Sequence, residues 1–286
     1  MKKHILITGG TGYLGSFIAK ELLFQDYQVT ILKRATSSLV RLESFVEKIN
    51  FIEENTLDIF FQNNTIDGII HIATSYGRKG EKVSDILNTN LLLPTKLFEL
   101  AIQNKVGFFI NTDTSLPANL NAYSLSKAQF KEWLKIVPNE IKIINVIPEY
   151  FYGPGDEKSK FISGILHQLK SNVEFIDFTE GIQKRDFIYI DDVVAAFICL
   201  VKNIDKLESY SDVPLGSSRS ISLKEVVILL KKLANNSITK LNFGAIPMRK
   251  GDVLESKADI SYLNNLGWQP KTTIEQGITK IIETEY

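Results

Sequence analysis

Tyr123-Ser124-Leu125-Ser126-Lys127 is the stretch of this 286-residue chain whose residue types and spacing point most directly to chemistry. On a helix that spacing sets the tyrosine and the lysine one turn apart on a single face. A phenol near its ordinary pKa of about 10 is a poor base at neutral pH. A neighbouring ammonium favours the phenolate, so the pair predicts a tyrosine that passes a proton to or from a bound oxygen. The bare pattern also arises in ordinary helices, and its meaning depends on what else the chain carries.

Near the N-terminus, Thr8-Gly9-Gly10-Thr11-Gly12-Tyr13-Leu14-Gly15 sets glycines at 9, 12 and 15 between a short apolar strand and an amphipathic helical pattern. A tight turn, close approach of backbone to pyrophosphate and close helix–strand contact each exclude a side chain. The N–H groups that open the helix suit the pyrophosphate itself. Strand before and helix after make the triplet a dinucleotide-binding signature, with Gly9, Thr11, Gly12, Tyr13, Leu14 and Gly15 expected against the cofactor. Hydride then moves on the nicotinamide while Tyr123 moves the proton. NAD sites end the second strand in an acidic residue for the ribose hydroxyls. This chain has Lys33-Arg34 there, either a clamp for a 2′-phosphate or two solvated cations. The clamp predicts NADP in preference to NAD. Asp58, after the third strand, is either an adenine contact or a surface aspartate.

These groups need a frame to hold them. Apolar runs at His4 to Ile7, Gln28 to Leu32, Phe51 to Glu53, Gly68 to Ile72, Phe108 to Asn111 and Ile141 to Ile147 read as strands. Helical spacing at Tyr13 to Phe24, Asn90 to Asn104 and Tyr123 to Ile136 alternates with them. That rhythm predicts an α/β fold, a doubly wound Rossmann-type parallel sheet with helices on both faces. Beyond Tyr152 the loop Gly153-Pro154-Gly155-Asp156 breaks it. There follow a helix near Lys160 to Leu169, a strand near Glu174 to Asp177, and the segment Arg185 to Asp192, where Asp191 or Asp192 is expected to cap the next helix. Ser222 to Ala234 reads as a helix capped by Ser222 with Glu225 in its first turn. Two short helices are expected around Gly267-Trp268-Gln269-Pro270. The expected domains are 1–152, with 188–216 returning to it, and a smaller α/β substrate lobe over 153–286.

Composition excludes several classes. Lys plus Arg equals Asp plus Glu, 33 each, so no overall field attracts nucleic acid or an anionic membrane. Cys199 is alone, which rules out an internal disulfide, and its apolar run predicts an inert core position. His4, His71 and His167 are scattered, so no metal site is expected. The first apolar run ends at Ile7, too short for a signal peptide, and no stretch is long enough to span a membrane. A cytoplasmic protein is expected.

With these motifs together, the chain resembles an extended short-chain dehydrogenase/reductase of the nucleotide-sugar epimerase/dehydratase family. Thr8 to Gly15, Ile70 to Thr74, Asn90, Asn111-Thr112-Asp113, Tyr123 to Lys127, Tyr152 to Asp156 and Arg185 to Val193 carry the likeness over nearly the whole chain. Ile69 to Gly77, Phe109 to Thr114, Tyr152 to Ile162 and Phe243-Gly244-Ala245-Ile246 are also similar to a branch of that family, the CDP-abequose synthase-type reductases of 4-ketosugars. The resemblance implies that Thr112 polarises the substrate oxygen, that Tyr123 is the acid/base, and that Lys127 holds the nicotinamide ribose. It also implies cofactor contacts at Ala73, Thr74, Asn90 and Pro148. Arg185 and Arg249 take the two positions that clamp a substrate diphosphate, with Lys160 as a third contact or a surface cation. Asp113 and Thr114 lie beside the sugar, and a homodimer is implied through the catalytic-tyrosine helix and the helix before it. Leu91, Leu92, Leu97, Phe98, Phe130, Trp133 and Leu134 are more apolar residues than one buried face needs.

Three departures narrow the reading. Dehydratases of the family follow the hydroxyl residue with Asp-Glu, but here Asp113 precedes Thr114, which argues against a 4,6-dehydratase. The strand before Tyr152 reads Ile147-Pro148-Glu149-Tyr150-Phe151, so Glu149 or Tyr150 faces the sugar or nicotinamide, or Tyr150 simply packs. The stretch from Thr112 to Tyr123 is short. The expected activity is an NAD(P)H-dependent reductase of a nucleoside-diphosphate 4-keto-deoxyhexose. The alternatives are a 4-epimerase that retains NAD and a non-catalytic dinucleotide-binding regulator, which has no need of Thr112, Tyr123 and Lys127 together.

Overall fold

The computed structural model describes residues 2–78, 80–136, 141–249 and 251–286. In chain order the first half holds β1 (His4–Thr8), α1 (Tyr13–Phe24), β2 (Gln28–Leu32), a 3-10 segment (Val40–Lys48), β3 (Ile49–Ile52), α2 (Leu57–Asn63) and β4 (Gly68–His71). Then come α3 (Val83–Leu87), a π turn (Asn88–Leu92), α4 (Leu93–Gln103), β5 (Phe108–Thr112), α5 (Ala122–Ile136) and β6 (Lys142–Pro148). The second half holds β7 (Tyr150–Tyr152), α6 (Phe161–Lys170), β8 (Phe175–Phe178), β9 (Lys184–Tyr189), α7 (Ile190–Lys202) and β10 (Tyr210–Leu215). It ends with β11 (Ser220–Ser222), α8 (Leu223–Leu233), β12 (Lys240–Phe243), α9 (Ser261–Asn265) and α10 (Ile274–Glu285). The chain divides into two compact units, Met1–Ile147 with Val194–Val213, and Pro148–Val193 with Pro214–Tyr286.

The first unit is built on a seven-stranded sheet in the order β10-β6-β5-β4-β1-β2-β3, with β3 through β6 in that order pairing in parallel. Strands covered on both faces read as unbroken apolar runs, and β1 and β5 are buried along their whole length. Phe98 and Phe109 meet edge to face, 5.3 Å between centroids, inside a core that also takes Phe61, Phe130 and Leu134. Strand order reverses between β1 and β4, and ligands of such sheets bind at the carboxyl ends of the strands at this switch point.

The expected doubly wound parallel sheet is what the chain forms. Several details differ from the sequence reading. The helix expected over Asn90 to Asn104 begins earlier, at Val83, and passes through the π turn before α-helical geometry resumes at Leu93, next to Pro94. Asp191 and Asp192 do not cap α7, because the helix already starts at Ile190. Asp192 instead accepts the N–H groups of Lys271 and Thr272. Cys199 is half-buried rather than a core residue; burial pushes its thiol up. Of the apolar residues expected at a dimer surface, Leu97, Phe98, Phe130 and Leu134 belong to the chain's own core. Leu92 and Trp133 are exposed.

In the second unit β7 and β11 flank β9, β8 pairs with β12, and α8 packs on α6 and α10. Ser222 caps α8 as its sequence predicts: Ser222 Oγ accepts the Glu225 N–H at 3.2 Å, and the Glu225 carboxylate accepts the Ser222 N–H at 3.0 Å. The fully buried Asp186 carboxylate accepts the N–H groups of Ser217, Ser218 and Ala258 at 2.7, 3.0 and 3.1 Å. A buried charge needs such a set of donors, and it fixes the turn after β10. Among the described residues no helix is long and apolar enough to cross a membrane, and no cluster of metal-ligating side chains forms.

Candidate active site

The ends of β1 and β4 are joined through Thr8, whose carbonyl accepts the Ile72 N–H at 3.2 Å and whose hydroxyl adds further bonds. Thr8 Oγ1 accepts the N–H groups of Ile72 and Ala73, each at 3.2 Å. The same hydroxyl is hydrogen-bonded to His71 Nδ1 at 2.7 Å, and the buried His71 Nε2 has no partner within the protein. Burial, aided by the nearby Lys127 charge, holds His71 well below the usual histidine range. The ring is neutral and packs between Phe109 and Phe130.

That junction shapes the turn expected to bind a dinucleotide. Gly9 has φ +70°, and a Cβ there would lie 2.6 Å from the Ala73 nitrogen. A Cβ on Gly15 would strike the Gly9 carbonyl. At Gly12 a Cβ would lie 3.2 Å from the Gly9 backbone oxygen, tighter than ordinary contact, so the turn favours a glycine there as well. Gly12 is the N-cap of α1 and supplies no side-chain acceptor to the first-turn N–H groups. A backbone cradle kept open at the helix start fits a pyrophosphate.

The second-strand cations are less free than a clamp requires. Lys33 is mostly buried and 3.9 Å from the Glu53 carboxylate, while Arg34 is exposed. Arg41, which the sequence reading passed over, lies over the Tyr13 ring at 5.3 Å. Asp58 is on the surface in an ion pair with Lys96 at 3.4 Å.

Thr112 ends β5, and Tyr123 and Lys127 lie one turn apart on α5. All are buried, and neither Thr112 Oγ1 nor Lys127 Nζ has a partner within the protein. Burial draws the Lys127 ammonium down to about 8, against a smaller upward pull from Asp113. An unpaired, nine-tenths-buried cation fits a hydroxyl-bearing ligand such as the nicotinamide ribose. Tyr123 departs from expectation. Burial pushes its phenol well above the ordinary tyrosine range, and Tyr76 adds to this. A hydrogen bond from Thr114 and the charge of Arg78 oppose it, and Asp113 reinforces it. Within the chain itself, desolvation outweighs the neighbouring cations.

The supports of this group were only partly visible in the sequence. Asn90 is fully buried in the π turn. It accepts the Ser75 N–H at 2.7 Å and the Thr74 hydroxyl at 3.3 Å, and donates to the Ser75 carbonyl at 2.9 Å and to Ser126 Oγ at 3.0 Å. Asn145, on β6, donates to Asp113 at 2.9 Å and Asp212 at 2.8 Å, and accepts from Asn111 at 2.7 Å. Lys131 pairs with Asp212 at 3.0 Å. A lone amide in an apolar strand was the available signal, since buried amides are satisfied. Tyr76, whose ring centroid lies 4.9 Å from that of Tyr123, gave none.

In the second unit Arg185 is committed to the protein. It donates to the carbonyls of Lys184 and Val253 at 2.8 and 2.6 Å, binds Asp252 at 2.7 Å, and lies over Tyr150 at 5.7 Å. Tyr150 also packs on Phe187, 5.9 Å between centroids. Glu149 accepts from Ser256 Oγ at 2.6 Å, Lys160 caps α6 through its backbone, and Pro148 ends β6 in a buried position. Arg249 is exposed.

Residues 5–216 match the NAD dependent epimerase/dehydratase family. The chain belongs to that family. It is 36% identical to the CDP-abequose synthase of Salmonella muenchen over 99% of this chain and 98% of the relative. A CDP-abequose synthase of Salmonella typhimurium is 28% identical over the same share of each chain. Among solved structures, the UDP-glucose 4-epimerase of Thermotoga maritima with UDP-glucose superposes with a TM-score of 0.84 over 98% of this chain and 97% of that one, at 22% identity. The Thermus thermophilus UDP-glucose 4-epimerase with NAD gives 0.81 at 20% identity, over 98% of each. At such identities the superpositions speak for the fold. The open cradle at Gly12 and the unpaired Lys127 Nζ fit the NAD for which the family is named.

Proposed function

We propose that this protein is an NADPH-dependent reductase of a nucleoside-diphosphate 4-keto-deoxyhexose. Reduction of a ketone consumes a hydride and a proton. When bound, the dinucleotide supplies the hydride. Thr112 donates a hydrogen bond to the carbonyl oxygen, and Tyr123 delivers the proton to that oxygen as it becomes an alcohol. Lys127 holds the nicotinamide ribose, and Gly9, Gly12 and Gly15 hold the pyrophosphate. Ala73 and Thr74 border the same cofactor. Arg249 takes the substrate diphosphate, with Arg185 anchoring Asp252 and Val253 behind it.

The observation that carries this reading is the 36% likeness to a CDP-abequose synthase over nearly the whole of both chains. Thr114 after Asp113 supports the reductase further. The Tyr123 phenol, protonated at neutral pH, is in the state from which a ketone reductase starts. A second reading, a 4-epimerase that retains NAD, is favoured by Glu53, which shares the Lys33 charge needed for a 2′-phosphate. Incubation with a panel of nucleotide 4-ketosugars and each reduced cofactor separates the two. The proposal expects stoichiometric NADPH oxidation with one of them. No oxidation with any ketosugar, together with inversion at C4 when nucleotide hexoses bearing a 4-hydroxyl are offered instead, supports the epimerase.

A further inference from the structure

The loop after β4 carries an aromatic and a cation that the catalytic assignment above does not use. Tyr76 lies at the surface, 38% exposed, with its ring tilted 49° against Tyr123 at a centroid distance of 4.9 Å. The Arg78 guanidinium sits over the Tyr76 ring at 5.3 Å. A guanidinium over an aromatic face is attracted by the ring quadrupole, so Tyr76 gives an exposed arginine a preferred resting place. The loop itself is pinned close by, through Asn90 to Ser75.

We propose that Arg78 is a positioning residue for the catalytic tyrosine: seated on Tyr76, it holds that ring against Tyr123 and places a fixed positive charge beside the phenol. This rests on the reading of Tyr123 as the acid. The groups that face the phenol are Tyr76 and Arg78 from the β4 loop, Asp113 and Thr114 from the end of β5, and, on α5 itself, Lys127 one turn on. Asp113 and burial oppose ionisation, whereas Thr114 and Arg78 favour it. Arg78 therefore makes Tyr123 a stronger acid without touching the reacting atoms. Its exposure means that salt screens part of the effect.

The test uses the protein with oxidised NADP bound, and follows the ultraviolet phenolate signal that Tyr123→Phe abolishes. Arg78→Gln is expected to raise the Tyr123 midpoint by roughly 0.5–1 unit, the low end for an opposite charge because the group is solvated. Arg78→Lys should restore most of the shift, whereas Tyr76→Leu removes a ring that raises the phenol and should lower the midpoint. In the Tyr76→Leu background, where Arg78 has lost its seat, Arg78→Gln should move the midpoint much less than it does in wild type, as expected for two residues acting as one device. An undiminished shift there overturns the seating role. In turnover, Arg78→Gln should lower kcat about three- to tenfold at neutral pH with KM for the sugar unchanged. An unmoved Tyr123 midpoint overturns the proposal, and so does a rise in KM alone, which would make Arg78 a substrate contact. A midpoint that shifts while no ketosugar is reduced by the wild type leaves this inference standing and removes the reductase reading.

Discussion

Asn90 Nδ2 donates to Ser126 Oγ at 3.0 Å, one residue before Lys127, while its other hydrogen bonds hold the Ser75 backbone and the Thr74 hydroxyl. The sequence assigns Asn90 to the cofactor, but its amide is spent inside the protein, tying the loop after β4 to the catalytic helix. A π turn reaches into that space where a regular helix would carry the side chain past it. Asn90→Ala should cost about 2–4 kcal/mol of stability by orphaning buried partners. It should also lower kcat and weaken cofactor together, because both loop and helix shift. Denaturant unfolding and cofactor titration of the purified variant check this. A stable variant with unchanged cofactor affinity would show the link to be dispensable.

Lys127 predicts a conflict between stability and activity. Its ammonium is buried, unpaired and drawn down to about 8 from 10.5, which corresponds to a penalty of up to roughly 3 kcal/mol at neutral pH. The sign follows from proton counts. Between about 8 and 10.5 the unfolded lysine binds the proton and the folded one does not, so stability contributed at this site rises with pH across that window. Below it the penalty is constant. Lys127→Met should therefore unfold at higher denaturant than wild type at pH 7, and the advantage should shrink towards pH 10. Turnover should be lost and cofactor binding weakened at both. A Met variant less stable than wild type at pH 7 contradicts this account of the lysine.

Replacing Lys33 and Arg34 with neutral residues should weaken NADPH more than NADH. Two charge-assisted contacts of roughly 1.5–3 kcal/mol each give one to three powers of ten in discrimination. The lower end is expected here, because Glu53 already shares Lys33 and Arg34 is exposed. Calorimetric titration of both cofactors into wild type and double variant decides it. Equal wild-type affinities for the two rule out the 2′-phosphate clamp.

The dimer expectation now rests on fewer residues. Leu125, Trp133 and Ile136 share the outer face of α5, with Leu92 exposed on the neighbouring π turn. Wild type should scatter light as a dimer at micromolar concentration, and Trp133→Glu should return it to monomer. A monomeric wild type removes the expectation.

What was legible in the sequence follows from how local each signal is. The parallel strands of the first unit were readable because burial on both faces forces unbroken apolar runs, as in His4–Thr8 and Phe108–Thr112. The Ser222–Glu225 cap was readable because both partners lie within one turn. Short elements such as α2 and β7, whose identity depends on distant partners, left no periodic trace. In the site, Tyr123 and Lys127 were recognisable by spacing, but the state of the phenol was not. It depends on burial and on Tyr76, Thr114 and Arg78, which come from other parts of the chain. Arg185 looked like a ligand cation because its hydrogen bonds to Val253 and Asp252 cross a long sequence separation.

Net reduction with Tyr123 as the proton donor is tested most directly by isotope transfer. NADPH deuterated at its transferable position should be oxidised by the wild-type protein together with a nucleotide 4-keto-deoxyhexose. One deuterium should then appear at sugar C4 for each cofactor consumed. Tyr123→Phe should lower that transfer at least about a hundredfold while cofactor affinity stays near the wild-type value. No deuterium transfer to any ketosugar, with inversion at C4 of a nucleotide hexose that carries a 4-hydroxyl and no cofactor consumed, would contradict the reductase, and near-wild-type transfer by Tyr123→Phe would remove the tyrosine from the mechanism.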